Sequence, residues 1–318
     1  MKLKKIKKSF FLNILNIVLS KLEIIKLPIK GLIAYLTLIN YNYVTNFVHE
    51  GNIKIILPKI SLLSAFLNRK KILKRSFDYF SRPKAEVLLR KTIFNLYEQK
   101  YIDPKKSMID IGCWIADNSL VWAKLLKDDA IVFAIDPSSE NLSFGKNVAL
   151  LNDVSNIKWV EAVCSDKPGI ALTFDGPIDH AMFKSHEESS NSMISTTLDL
   201  IVNDKINSIG FMHIDVEGFE MKVLQGAVKI IEQSRPVIVF EQFISENDIG
   251  VIFDFLRQYE YDIYMINEVL PGCDMDCRNF IAFDSKREFP KIENVNQKNG
   301  REIGIFYAST GPQLIKVL

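Results

Sequence analysis

The sequence predicts a doubly wound, mostly parallel α/β sheet with an antiparallel hairpin at its end, preceded by a mainly helical extension. Three observations carry this. From residue 108 to about 266, short apolar runs alternate with segments of helical spacing. The runs Met108–Ile111, Ile131–Ile135, Gly210–Val216 and Val237–Glu241 are nearly continuous rather than alternating, as expected of parallel strands covered on both faces. The last two strands, Asp262–Ile266 and Asn279–Phe283, follow one another across a loop with no helix between them, which makes them a hairpin.

The elements follow in order. Residues 1–104 are a basic and apolar extension: Lys2, Lys4, Lys5, Lys7 and Lys8 crowd the start, and Phe10–Leu22 is strongly apolar. That shape resembles a secretory leader, but no small-x-small cleavage site follows, and about 13 apolar residues are few for a membrane span. This region and a second one, Leu32–Val48, read as helices packed on the domain or as amphipathic helices on an anionic membrane surface. Asn52–Leu57 reads as a strand, Asn68–Arg75 as a basic helix face, and Lys84–Lys100 as a helix covering the sheet.

Residues 105–290 hold the alternating domain. After the first strand, Asn118-Ser119 gives a cap-like start to a helix with Leu120, Val121, Ala123, Leu125 and Leu126 apolar. Ser138–Asn152 is a second helix, Ile157–Val163 a third strand, and Ile170–Phe174 an edge strand beside it. Asp179–Ser195, rich in Ser, His and Glu, reads as a long loop over a substrate. Thr196–Ile206 is helical, and a further helix with Val223, Leu224, Ala227, Ile230 and Ile231 apolar separates the fourth and fifth strands. Ile249–Tyr259 is the last helix. Residues 291–318 form a tail in which Ile303–Tyr307 reads as one more strand.

The bulk numbers exclude some functions. A net charge of +2 in 318 residues makes no case for nucleic acid. Four cysteines (Cys113, Cys164, Cys273, Cys277) form no disulfide framework at this length, so a reducing, cytoplasmic compartment is expected, peripheral at a membrane if the lysine-rich start is used. Cys273 and Cys277 flank Asp274-Met-Asp276 in a loop without further zinc ligands nearby; free thiols and no resident metal are expected.

The chemistry centres on Met108–Pro137, which reads strand, tight turn, helix, strand, carboxylate. In such a unit the turn at the carboxyl end of the first strand is where a nucleotide-like ligand approaches backbone N–H groups. Asp136 closes the second strand 24 residues after Gly112, a suitable distance for accepting hydrogen bonds from a ribose diol. The turn Gly112-Cys-Trp-Ile-Ala116 has one glycine and a bulky Trp114, so a pyrophosphate fits it poorly. A phosphate-free cofactor such as S-adenosyl-L-methionine needs no such approach.

Three blocks together resemble the FkbM family of S-adenosylmethionine-dependent methyltransferases. They are Asp110-Ile-Gly112-Cys-Trp-Ile-Ala-Asp117-Asn118-Ser119, then Ile135-Asp136-Pro137, then Thr197-Leu-Asp199 with Ile214-Asp-Val-Glu-Gly-Phe-Glu220 and Val223-Leu-Gln-Gly-Ala227. The resemblance covers residues 105 to 285. It implies a class I methyltransferase (Rossmann-like) fold and methyl transfer to an oxygen of a sugar, glycolipid or other small-molecule hydroxyl. It places the cofactor's methionine end against Asp110–Gly112, its ribose on Asp136, and its adenine near Ala162–Asp166. The cofactor-binding candidates are therefore Asp110, Gly112, Cys113, Asp117, Asn118, Asp136, Pro137 and Ser165. The chain departs from the family pattern at Trp114 (usually Asn), Ala116 (usually Gly) and His213 (often Lys); an alanine at 116 adds a methyl near the cofactor and is tolerated if φ there is negative.

Methyl transfer to oxygen is an in-line displacement that needs alignment and removal of a hydroxyl proton. Asp215, just past the fourth strand, is the first candidate for that base. Glu217 and Glu241 end neighbouring elements and are expected to orient the acceptor or, with Asp215, hold a divalent cation. Glu220 reads as a structural acid of a helix's first turn, Asp199 as a cap, and His213 as a satisfied core histidine; His180 and His186 are acid/base candidates in the polar loop. Two other readings remain: an NAD-linked oxidoreductase, and a methyltransferase-like binding or scaffold domain without activity.

Overall fold

A computed structural model describes residues 44–46, 54–56, 86–175, 182–184, 192–244, 249–268, 277–292, 294–295 and 311–317. The chain divides into two compact units, and the sheet lies wholly in the unit made of Thr45–Ile55 and Lys84–Leu318. His180, His186, Cys273 and Ile303–Tyr307 lie outside the described residues, as does nearly all of the N-terminal region. Val44–Asn46 and Lys54–Ile56 pair as a two-stranded sheet. The second strand was expected; the first falls inside an apolar region read as helix, where β-branched Val44 and Thr45 favour extended backbone.

The core of the unit runs in order through α1 (Val87–Glu98), β1 (Ser107–Ile111), α2 (Asp117–Ala123), β2 (Val132–Asp136), α3 (Ser139–Leu151) and β3 (Ile157–Glu161). It continues through β4 (Ile209–Ile214), α4 (Glu220–Gln225), α5 (Val228–Ser234), β5 (Val237–Phe243), α6 (Ile249–Gln258), β6 (Tyr261–Ile266), β7 (Cys277–Asp284) and β8 (Leu314–Lys316). These strands form one sheet in the order β8-β6-β7-β5-β4-β1-β2-β3. The five strands β5-β4-β1-β2-β3 are parallel, and β7, β6 and β8 add antiparallel. Every residue of β1 and β2 is buried, as their unbroken apolar runs require, and β3 at the edge is only partly covered. The order reverses between β1 and β4, which is the place where open α/β sheets form a ligand crevice.

The apolar core joins Ile109, Ile111, Met212, Ile214, Ile238 and Phe240 of the strands to Val223, Leu224, Ile230 and Ile231 of α4 and α5. Each of these buried apolar side chains contributes roughly 1.5–3 kcal/mol.

Several expectations are corrected. Asn118 and Ser119 do not cap α2: its first turn starts from Ala116 in the left-handed region (φ 59), and both polar side chains are buried in tertiary hydrogen bonds instead. Residues 171–175 do not pair beside β3. They join Val163–Cys164, Met182–Lys184 and Ser192–Thr196 in a separate four-stranded sheet, so part of the predicted loop is strand. Ser-rich composition hid Ser192–Thr196, whose β-branched Ile194 and Thr196 suit a short pairing strand. The predicted helix over 196–206 is a single turn, Leu198–Ile201, followed by a 3-10 stretch, Asn203–Ser208. Cys277 opens β7 rather than lying in a loop, and the tail returns as β8 on β6.

The start of α1 is held by a tertiary contact. Glu86 precedes α1 without capping it. The carboxylate of buried Glu268, 180 residues away, accepts from the backbone N–H groups of Leu88 (3.1 Å) and Leu89 (3.2 Å), where the helix dipole favours a negative charge. Burial raises this carboxyl to about 7, against the lowering effect of those two N–H groups and of Arg90. A raised carboxyl stabilises the fold fully below its unfolded value near 4.5, and that contribution is lost as pH rises through 7. Chemical unfolding of the wild type from pH 5 to 8 should therefore lose on the order of 2 kcal/mol that Glu268→Gln does not lose.

Candidate functional site

The reversal between β1 and β4 leaves room for one backbone against another. Gly112 follows β1 at φ 73, and a Cβ placed on it would lie 1.6 Å from the carbonyl oxygen of Asp215. Only glycine permits both the left-handed backbone and this approach. Asp215 N–H in turn donates to the Ile111 carbonyl (2.9 Å), so the two strand ends are tied where the first and last motif blocks meet.

The turn then passes through two further left-handed residues, Trp114 (φ 47) and Ala116 (φ 59). Ala116 has a positive φ, not the negative value at which an alanine is easily tolerated. It is fully buried in a small cluster with Cys113, Ala134, Leu142 and Trp159. That packing offsets the roughly 1–2 kcal/mol that a left-handed alanine costs. Trp114 is half-buried, and its backbone N–H donates to Asp136 Oδ2 at 2.9 Å.

Asp136 ends β2 with its carboxylate aimed back at this turn. Oδ1 accepts from Ser138 N–H (2.8 Å) and Asn141 Nδ2 (3.1 Å), completing three donors. Burial nevertheless lifts the carboxyl to about 6, with those donors pulling down and Asp110 pushing up. A carboxylate has about four lone-pair directions, so one remains for a ligand hydroxyl. Cys113 is buried among the same acids, and burial together with Asp110, Asp136 and Asp117 holds its thiol well above the usual range. Asp117, the first residue of α2, is buried, and Pro137 is half-buried beside Asp136.

Two of the cofactor-binding candidates use their side chains internally. Asp110 accepts from Ser119 Oγ on one oxygen, and its other oxygen lies 2.8 Å from His213 Nδ1. Asn118 donates to Glu86 Oε2 (2.9 Å) and accepts from Arg90 (3.1 Å), in a buried network that Asn279 joins from β7. Glu86, Arg90 and Asn279 carry no local motif and were missed. His213 is not fully satisfied as expected: its Nε2 has no hydrogen-bond partner, and its ring stands edge-on to Trp122 at 5.1 Å.

Burial alone would push His213 down, but the hydrogen bond and charge of Asp110, helped by Glu86 and Asp215, hold it above its ordinary value. The charged pair stabilises the fold fully below pH 6.5, and this is lost as pH rises through the raised value. In His213→Gln the corresponding fall in unfolding free energy above pH 6.5 should disappear, while at pH 6 the variant is the less stable protein by roughly 1–3 kcal/mol.

Past β4 the carboxyls converge. Asp215 hydrogen-bonds Glu241 of β5, and burial, the charge and hydrogen bond of Glu241, and Glu217 hold Asp215 far above the carboxylate range, against His213. Asp215, Glu217, Glu220, Glu241 and Cys277 line one small cleft of ≈ 40 Å³. The Cys277 thiol donates to Glu241, a contact made by the antiparallel pairing of β5 with β7 and not signalled in the sequence. Glu217 is exposed at φ 52. Glu220 turns back to accept from Val216 and Gly218 N–H groups (3.2 Å each), and burial raises it to about 7. Among the described residues no group of three or more His, Cys, Asp or Glu is arranged to hold a metal ion.

The remaining motif residues shape the far wall. Asp199 caps α5 rather than its own helix, accepting from Lys229 (3.0 Å) and Ile230 (3.1 Å). Thr197 caps the turn Leu198–Ile201. Gly226 lets α4 reach Ser165, whose carbonyl oxygen lies 2.1 Å from where a Cβ would be. Ser165 Oγ donates to Asp166 at 2.9 Å, at the border where an adenine is expected.

A family model of the methyltransferase FkbM domain matches residues 110–263. Over those residues the chain is similar to methyltransferase FkbM domains. That span runs from Asp110, before the first turn, through the Asp215–Glu241 pair to β6. No curated protein matches the chain. Among solved structures, the methyltransferase FkbM from Methylobacillus flagellatus KT is 15% identical, with TM-score 0.44, over 79% of this chain and 58% of its own. This chain thus spans little more than half of that relative. An rRNA methylase from Streptococcus thermophilus is 12% identical (TM-score 0.40; 62% of this chain, 95% of its own). A methyltransferase from Streptococcus mutans solved with SAH is 10% identical (TM-score 0.38; 60% and 96%). No helix among the described residues is long and apolar enough to cross a membrane.

Proposed function

We propose that this FkbM-like domain is an S-adenosyl-L-methionine-dependent methyltransferase that methylates a hydroxyl oxygen of a sugar, glycolipid or other small molecule. The observation that carries the reading is the Asp215–Glu241 carboxyl pair, on a strand end whose backbone is tied to the Gly112 turn. Two carboxyls that hydrogen-bond one another hold one proton between them, leaving the pair a single negative charge and room for a second proton.

When bound, the cofactor supplies an electrophilic methyl group. The backbone of Gly112 and Cys113 and the remaining acceptor direction of Asp136 would hold it, with Ser165 and Asp166 at the adenine side. Asp110 serves here through the turn it anchors, its carboxylate being buried against His213 and Ser119. The acceptor hydroxyl becomes strongly acidic as its oxygen gains the methyl, and the Asp215–Glu241 pair takes the released proton, ending neutral. Glu217 at the cleft's open side is placed to position hydroxyls of a polyol. A lipid-linked acceptor suits the lysine-rich start of the chain. The single-glycine turn with Trp114 weighs against a dinucleotide.

Titration calorimetry with S-adenosylhomocysteine and with NAD tests the cofactor. Binding of the former alone is expected, and Asp136→Ala should weaken it roughly tenfold or more while far-UV circular dichroism stays unchanged. Binding of neither ligand would leave a scaffold domain; undiminished affinity in Asp136→Ala would end the ribose assignment. With an acceptor in hand, Glu241→Gln should lower kcat by roughly 10²–10⁴ with little change in cofactor affinity. A kcat within a factor of two of wild type would remove the pair from proton transfer.

A further inference from the structure

A second cleft lies at the opposite end of the strands. Lys106 precedes β1 and Gly210 is the second residue of β4, so the cleft opens at the amino edge of the parallel sheet. The five residues of β1, at ~3.3 Å each, put it roughly 16 Å from the Gly112 turn. Its volume of ≈ 310 Å³ is larger than that of the acidic cleft and falls in the range of small-molecule sites.

Its walls carry the opposite charge. Four cations, Lys100, Lys106, Arg235 and Arg287, face a single acid, Asp103. Arg235 is neutralised by Asp284 at 2.6 Å. The other three have no carboxylate partner among the described residues, although neighbouring Lys105 has one in Asp128 (3.0 Å). Arg287 donates to the Tyr101 carbonyl (2.6 Å) and lies 3.8 Å over the Tyr101 ring, contacts that fix its fork without cancelling its charge. Lys100 stands just past the carboxyl end of α1, where the helix dipole favours a cation, but no such dipole accounts for Lys106 or Arg287.

The floor is closely packed at Gly210. The β1–β4 register shifts at Gly210, and a Cβ there would come within 2.9 Å of Lys106 Cβ and 3.3 Å of Ile102 Cγ2. Tyr101, in the wall, has a buried hydroxyl without a hydrogen-bond partner. A buried hydroxyl left without a partner is costly unless something supplies one.

We propose that this cleft is a second, non-catalytic binding site for a phosphate-bearing small molecule. A fixed guanidinium and two unpaired ammonium groups suit a phosphate monoester or a diphosphate, through charge-assisted hydrogen bonds from Arg287, Lys100 and Lys106. The phosphate comes from a soluble metabolite or from a lipid headgroup; the chemistry that recognises it is the same.

The full-length chain is titrated with inorganic pyrophosphate by calorimetry at fixed ionic strength, with sodium chloride as the matched control. In parallel, it is sedimented with phosphatidylcholine vesicles with and without phosphatidate. Saturable binding of pyrophosphate is expected, weakened roughly tenfold or more in the double variant Lys100→Ala/Lys106→Ala and retained in Lys106→Arg. S-adenosylhomocysteine affinity, which involves neither lysine, reports that the double variant is folded. Pyrophosphate binding alone supports a soluble ligand. Lysine-dependent co-sedimentation with phosphatidate supports a headgroup. Equal binding by the wild type and the double variant, or no binding in either arm, overturns the proposal.

Discussion

The site depends on one close approach: the carbonyl of Asp215 occupies the space where any side chain at Gly112 would begin. That contact binds the ends of β1 and β4 at the place where the sheet reverses direction, and both halves of the site follow from it. On one side the left-handed turn turns Trp114 N–H toward Asp136. On the other, Asp215 is set beside Glu241 of the next strand. A methyl group at residue 112 would move the turn and the Asp215–Glu241 pair apart together.

Crowding so many acids at one sheet edge demands that each charge be managed, and each is managed differently. Asp110 is held by His213 and Ser119, Asp136 by three donors, and Glu220 by the N–H groups of the turn it closes. Asp215 alone is answered by another acid. It is therefore the group whose proton is shared rather than bound to a fixed partner, and a group of that kind can exchange a proton during a reaction.

The two departures from the family turn have unequal consequences. Ala116 keeps the left-handed backbone that a glycine would supply, and it is buried in a cluster with Cys113, Ala134, Leu142 and Trp159. Trp114 reaches Asp136 through its backbone, a contact that any residue except proline provides. The backbone path of the turn is thus preserved where its sequence is not.

Much of this was legible in the chain. Unbroken apolar runs separated by helical spacing specified a buried parallel sheet, and the acids at Asp110, Asp136, Asp215 and Glu241 were identifiable because each closes or interrupts such a run. Those signals are local, so periodicity reveals them. Tertiary structure alone decided what those acids touch. Glu268 reaches the start of α1 across 180 residues, Asp199 caps α5 and not its own helix, and Asn118 is claimed by Glu86 and Arg90 rather than by a ligand. The basic cleft likewise draws Lys106, Gly210 and Arg287 from three distant stretches. Local pattern fixes which face of an element is buried, but a buried polar group must find its partner wherever the fold brings one within about 3 Å, and no spacing along the chain encodes that meeting.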